Sequence, residues 1–221
     1  MRLRQPEVEV IRGTYHGLGL IEFAGRTCYQ SRDNAKTSKE EFVKSIMDMG
    51  HESILEHAHI TMRVVCDRGV SHEWVRHRLF SYSQESTRYC NYNKNHIDFI
   101  IPSWISWPSM DIHMSTPIRD QLAELDIMPS ANEFLWANQC LAAEIAYKDM
   151  IDCGWTPQQA RSILPNSLKT EIVCTTNLRE WLHFFRLRCS AKAHPDMYKV
   201  ATMALDLAMH YAPVVFNEFK I

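Results

Sequence analysis

Residues 58–66 read Ala58-His59-Ile60-Thr61-Met62-Arg63-Val64-Val65-Cys66. Ile60, Met62, Val64 and Cys66 alternate with Thr61, Arg63 and Val65, which is the two-residue period of a half-buried strand. Asp67-Arg68-Gly69 then reads as a turn. Val70, Trp74 and Arg78 follow at a spacing of four and predict a short helix from Ser71. Strand and helix thus stand side by side in the chain, and the flanking sequence has the same mixture.

Towards the N-terminus, Glu7 to Ile11 alternates and predicts a strand. Ser38-Lys39-Glu40-Glu41 is a capping box ahead of Phe42, Ile46 and Met49, with Gly50 as the stop of that helix. Towards the C-terminus, residues 81–96 are polar and aromatic without a period and read as a loop. Ile97 to Ile101 is a short strand ended by Pro102, and 102–117, with Pro102, Pro108 and Pro117, is an irregular connection. Ser130-Ala131-Asn132-Glu133 is a second capping box, opening a helix with Phe134, Ala137, Leu141 and Ile145 on one face and Gly154 as its stop. Thr156-Pro157-Gln158-Gln159 starts a short helix with proline at its first position. Leu168 to Cys174 is β-branched and reads as a strand, Asn177 caps a helix carrying Leu178, Leu182 and Phe185, and a last helix runs from about Pro195 to His210. No repeat, linker or shift of composition divides the chain, so the expectation is one α+β domain.

Composition excludes several classes. The 221 residues are 46% hydrophobic and 23% charged, which is globular and neither disordered nor fibrous. Lys plus Arg is 24 and Asp plus Glu 26, so the net charge is 24 − 26 = −2, and no global field draws nucleic acid. The start, Met1 to Pro6, has no apolar signal core, and no apolar run approaches the roughly 20 residues of a membrane span. Seven scattered cysteines without CxxC spacing fit reduced thiols, so a cytoplasmic protein is expected. Glycine numbers only seven and forms no P-loop. Gly17-Leu18-Gly19 begins a dinucleotide fingerprint, but Glu22 stands where its third glycine belongs.

The chemistry is concentrated in Arg76-His77-Arg78-Leu79-Phe80-Ser81-Tyr82-Ser83-Gln84-Glu85-Ser86-Thr87-Arg88-Tyr89. Guanidinium forks grip phosphate or carboxylate in bidentate fashion, hydroxyls and loop N–H groups add donors, and aromatic rings offer stacking faces. A planar ligand bearing phosphate suits that mixture; a basic surface loop without a ligand is the plainer reading of the composition.

The spacing of Arg76-His77-Arg78, then, after seven intervening residues, Ser86, then Arg88-Tyr89, resembles the signature of flavin-dependent thymidylate synthases. Gly25-Arg26-Thr27-Cys28-Tyr29, Gly50-His51-Glu52-Ser53-Ile54-Leu55-Glu56-His57, Arg161-Ser162-Ile163-Leu164-Pro165, Asn177-Leu178-Arg179 and Leu187-Arg188 are similar to other blocks of that family, whereas 102–130 and the C-terminus match nothing clearly. The resemblance implies a single α+β domain over residues 1–221, a mainly antiparallel sheet packed with helices, assembling as a homotetramer with shared active sites. It implies conversion of dUMP to dTMP with FAD as cofactor, methylenetetrahydrofolate as carbon donor and NADPH as reductant.

Residue by residue, it implies that Ser53, Arg76, His77, Arg78, Gln84, Asn177, Leu178, Arg179 and His183 contact FAD. Glu73, Trp74, Val75, Arg76, Gln84, Glu85, Ser86, Thr87, Arg88, Arg161 and Arg188 are implied for dUMP, with Arg188 as the catalytic residue beside the uracil. A guanidinium there stabilises negative charge as the ring is activated. Relatives often carry Asn where this chain has His183, and Asn where it has Ser83. Trp74 reads as core on its helical spacing alone. Ser86 lacks an adjacent base and reads as a ligand rather than a nucleophile. The match gathers Arg76, Arg78, Arg88, Arg161, Arg179 and Arg188 at one cationic pocket, with acids elsewhere making up the near-neutral total. His51, His57 and His59 with Glu52 and Glu56 do not form a zinc motif, since Leu55 stands four residues after His51. No metal, membrane or nucleic-acid partner is expected. A non-catalytic nucleotide- or RNA-binding module is the rival reading.

Overall fold

The structure, a computed structural model, describes residues 1–32 and 37–219. In chain order the strands are β1 (Arg2–Arg4), β2 (Glu7–Gly13), β3 (His59–Asp67), β4 (Ser81–Gln84), β5 (Asp98–Ile100), β6 (Met110–Asp111) and β7 (Lys169–Asn177). The helices are α1 (Gly17–Cys28), α2 (Lys39–Asp48), α3 (Arg68–Trp74), α4 (Ile118–Glu124), α5 (Ala131–Asp152), α6 (Pro157–Ala160), α7 (Leu178–Arg188) and α8 (Pro195–Tyr211). The fold is α+β, with mainly antiparallel sheets of order β5-β1-β6 and β2-β3-β7-β4. None of the described helices is long and apolar enough to cross a membrane. All seven cysteines are free thiols.

The residues group into two compact units. One comprises Met1–Pro6, Val65–Trp74 and Gln84–Ile172. Here β1 pairs in parallel with β5, Leu3 opposite Phe99, and antiparallel with β6, Leu3 opposite Met110. Leu3, Phe99, Ile112, Leu122, Ala137, Cys140 and Tyr147 pack into one core. The expected face of α5 is shifted: Ala137, Cys140, Glu144 and Tyr147 are buried, while Ile145 is 40% exposed. A charged residue sits on the buried face, and for that reason the apolar pattern pointed elsewhere. The Glu144 carboxylate accepts from the Ile97 N–H at 3.0 Å and Lys148 Nζ at 2.7 Å, and lies 3.2 Å from the Met1 ammonium. Burial alone raises its pKa, but these partners outweigh burial and hold it below the ordinary carboxylate value.

The turn expected at Asp67-Arg68-Gly69 is the first turn of α3. Asp67 Oδ1 accepts from the Val70 N–H at 2.8 Å and serves as the helix cap. A Cβ at Gly69 would lie 2.9 Å from that same oxygen, so glycine is what lets the cap close.

The second unit comprises Glu7–Val64, Val75–Ser83 and Val173–Ile221. Its core is aromatic: Trp181 stacks on Phe185 at 5.3 Å, and Phe80, Phe184 and Phe216 complete the cluster. The capping box of α2 forms as expected, Ser38 Oγ accepting from the Glu41 N–H. Gly17-Leu18-Gly19 opens α1 rather than a phosphate loop. A Cβ at Gly25 would meet the Phe42 ring at 2.7 Å, so α1 and α2 approach where side-chain bulk is absent. β4 corrects the loop expected over 81–96. It is a polar edge strand, exposed at Ser81 and Ser83, so no apolar alternation announces it.

Candidate functional site

In the second unit, α7 sets most of the geometry. Asn177 Oδ1 accepts from the Glu180 N–H at 2.9 Å and caps the helix. Leu178, Trp181, Leu182, Phe184 and Phe185 are buried beneath it. Arg179, His183 and Arg186 fall at i, i+4 and i+7 on the exposed face. They line a cavity of about 600 Å³ with Leu79, Asn177, Glu180, Glu52 and Glu56. A smaller cavity of about 360 Å³ is lined by Gly25, Tyr29, His51, Ser53, Glu52 and Arg179. Glu52 and Arg179 therefore border both.

Arg76, His77 and Arg78 alternate exposed, buried, exposed. His77 is only 6% exposed, with its ring 4.8 Å from that of Phe184 and 6.1 Å from that of His183. Its Nε2 receives the Nε–H of Arg188 at 3.0 Å. Arginine only donates, so Nε2 is the acceptor and the neutral ring carries its proton on Nδ1. Nδ1 lies 3.8 Å from Glu180 Oε1. Burial first, then the Arg188 charge and His183, lower the His77 pKa to about 4. The Tyr82 hydroxyl donates to the His77 carbonyl at 2.9 Å, and burial raises its pKa above the ordinary phenol value. Arg76 and Arg78 have no ion-pair partner among the described residues.

Of the arginines expected in the cationic pocket, Arg179 lies against an acid, and so does its helix neighbour Arg186. Arg179 Nη1 contacts Glu56 at 2.6 Å, and Arg186 Nη2 bonds both Glu52 and Glu218 at 2.9 Å. A fork held by a surface carboxylate is still available to a phosphate, since exposed pairs are weak. The cavities fit an elongated flavin dinucleotide on that basis: two adjoining spaces with a guanidinium at their common edge.

His77, Glu180 and His183 place three potential metal-ligand atoms within 4.8 Å of one another. The Arg188 bond argues against a metal there. Nδ1 carries the proton while Nε2 accepts, so ligation through Nδ1 would break the His77–Arg188 pair. The set of His51, His57, His59, Glu52 and Glu56 forms no such group among the described residues.

The first unit assembles the other implied residues. Arg161 Nη1 donates to Thr87 Oγ1 at 3.1 Å, and Arg88 Nε donates to Gln158 Oε1 at 3.1 Å. Gln158 lies in α6 and Arg161 caps its C-terminal end, so two exposed guanidiniums are held from one helical turn. Ser86 accepts at its carbonyl from the Tyr89 and Cys90 N–H groups, and at Oγ from the Arg88 N–H at 3.3 Å. Gln84 Nε2 donates to Ser71 Oγ and Thr170 Oγ1. Glu85 turns its carboxylate to Tyr92 and Lys169, each at 2.7 Å, beside a cavity lined by Arg2, Lys94, His96 and Lys148. Trp74 is fully buried, the core placement its spacing favoured; Glu73 and Val75 are half-buried.

Gln158, Glu180 and Arg186 escaped the sequence reading as site residues, and Glu52 entered it as part of the Gly50–His57 block and of the rejected zinc set. For Arg186 the signal was present, one further step of the helical spacing set by Arg179 and His183. Gln158 carries no motif, and only the folded chain brings Gln158 to Arg88, Glu52 to Arg186 and Glu180 to the Nδ1 edge of His77.

A family model described as thymidylate synthase complementing protein matches residues 9–214. The chain is 34% identical to the flavin-dependent thymidylate synthase of Mycobacterium avium (strain 104), over 99% of this chain and 86% of that one. It is 32% identical to the protein of the same name from Geobacter sulfurreducens, over 90% and 80%. Among solved structures, that of the UMP/dUMP methylase PolB from Streptomyces cacaoi, bound with 5-Br dUMP, is similar in fold. Its TM-score is 0.76 at 23% identity, covering 99% of this chain and 96% of that one.

Proposed function

The chain belongs to the flavin-dependent thymidylate synthase family, and from that premise we propose that it converts dUMP to dTMP, with FAD as cofactor, methylenetetrahydrofolate as carbon donor and NADPH as reductant. The observation that carries this reading is the Arg188–His77 pair, set beside the cavity of Arg179 and His183. When bound, FAD supplies the hydride of the reductive step. Arg179, His183, Asn177 and Ser53 hold the cofactor, and Arg76 and Arg78 supply uncompensated charge for its pyrophosphate. Arg88 and Arg161 take the phosphate of dUMP, with Ser86 and loop N–H groups adding donors. Arg188, aimed through Nε by neutral His77, stabilises the negative charge that develops on the uracil when carbon 5 is activated. Gln84 contributes from the end of β4, and Leu178, Glu73 and Val75 from the helix ends at or beside which they lie.

Residues 1–221 act as one functional domain in this reading, which the match over 9–214 supports. Assembly is as a homotetramer with active sites shared between copies, and the free thiols suit a cytoplasmic location. The test is release of tritium from dUMP labelled at carbon 5, with FAD, NADPH and methylenetetrahydrofolate present. Release that needs all three is the expected result. No release, together with RNA affinity falling steeply with salt, would overturn this reading in favour of a binding module.

A further inference from the structure

Glu180 is an unusual group for its position. Its side chain is about nine-tenths buried, and among the described residues no Lys or Arg forms an ion pair with it. Burial raises its pKa. A buried carboxylate without a cationic partner is destabilising, and an apolar side chain would fill the space at lower free energy. Its neighbours on α7, Trp181, Leu182 and Phe184, are of that kind. What the carboxylate faces is the Nδ1 edge of His77 at 3.8 Å, with a His183 ring nitrogen within 4.8 Å of both. The opposite edge of the same ring receives Arg188 at 3.0 Å.

We propose that Glu180 is a positioning residue: by attracting the Nδ1–H edge of His77 it keeps the Nε2 lone pair turned toward Nε of Arg188, and so fixes the direction of that guanidinium. Two alternatives compete with the observed ring. A half-turn about the ring axis would put a C–H against Arg188. The Nε2–H tautomer would set donor against donor. Phe184 and Phe80 limit the tilt of the ring through edge contacts, but they distinguish neither alternative. A carboxylate on the far edge disfavours both, because each removes the N–H it attracts. The role of carboxylates behind metal-bound histidines is the same physics with a guanidinium in place of the metal.

The inference rests on the reading of Arg188 above, and its test has a readout independent of turnover. Two-bond proton–nitrogen correlation spectra of the flavin-free protein, labelled with 15N-histidine, report the tautomer of His77. Wild type is expected to show the Nδ1–H form. Glu180→Leu is expected to shift His77 toward Nε2–H or averaging and to lower kcat about 10-fold or more, with KM for dUMP held within about 2-fold. Glu180→Gln retains an acceptor oxygen and is expected to recover the Nδ1–H form and most of kcat. It also serves if the leucine variant does not fold. A change of kcat without a change of tautomer, or of tautomer without kcat, overturns the proposal. A tautomer shift in a protein whose wild type has no synthase activity leaves the positioning role standing and removes the activity instead.

Discussion

The Nε of Arg188 lies 3.0 Å from Nε2 of His77, joining two residues 111 positions apart in the chain. Lysine at 188 keeps the charge but loses the planar fork and the Nε donor. Arg188→Lys is therefore expected to lower kcat/KM about 100-fold, the scale of losing one donor to developing charge. Flavin content of the purified variant should be unchanged. Steady-state tritium release with an absorbance measurement of bound flavin checks both, and a variant within a few-fold of wild type would remove Arg188 from the chemistry.

Acid sensitivity should be centred on His77. Burial, then Arg188 and His183, bring its folded pKa to about 4, against 6.5 for the free side chain. Between these values the unfolded chain binds a proton that the folded chain does not. The contribution to stability is complete above about pH 6.5 and lost as pH falls through 4, amounting to about 3 kcal/mol. Glu180 acts in the opposite sense: its pKa is raised by burial, so its unfavourable charge is relieved as pH falls. Urea midpoints from pH 7 to 4 should fall for wild type. In His77→Gln, which still accepts from Arg188, the fall should be smaller, keeping the part near pH 4 that Glu144, held below the ordinary carboxylate value, contributes.

The parts of the fold that were legible are those in which one residue's chemistry suffices locally. Ser38 and Ser130 each cap with a glutamate three residues on, and both capping boxes form. Asn177 likewise caps α7. The failures are tertiary. Ser81 to Gln84 is a strand because β7 offers a sheet edge, not because its side chains alternate in polarity. Glu144 disguised the buried face of α5, since its partners come from the Met1 amine, Ile97 and Lys148. The candidate site divides the same way. Arg179 and His183 share a helix face by spacing alone, whereas Glu56 reaches Arg179 from 123 residues away.

That Arg179–Glu56 contact predicts a gain from removing an acid. Both side chains are about half exposed, 50% and 47%, so the pair contributes at most about 1 kcal/mol. In the proposed reading a flavin phosphate displaces it. Glu56→Gln should tighten FAD by about 3- to 5-fold, within that limit, and Arg179→Ala should weaken it about 10-fold or more. Quenching of flavin fluorescence gives both constants. Weaker binding by Glu56→Gln would mean that the carboxylate presents Arg179 to the cofactor and does not compete with it.

Arg161 and Glu85 carry the sharpest contrast within the residues implied for dUMP. Arg161 is exposed and anchored by one bond to Thr87, which leaves most of its fork for an anion. Arg161→Ala is expected to raise KM for dUMP about 10- to 100-fold with kcat largely kept, the mark of binding shared by ground and transition states. Glu85 instead spends its carboxylate on Lys169 and Tyr92, all three largely buried from solvent. Glu85→Gln leaves the Lys169 ammonium poorly matched and is expected to lower stability by about 1–3 kcal/mol, with KM for dUMP shifted less than about 3-fold. Urea unfolding and dUMP saturation curves separate the two. A rise in KM for Glu85→Gln as large as that for Arg161→Ala would show that the loop turns its carboxylate toward substrate when dUMP binds.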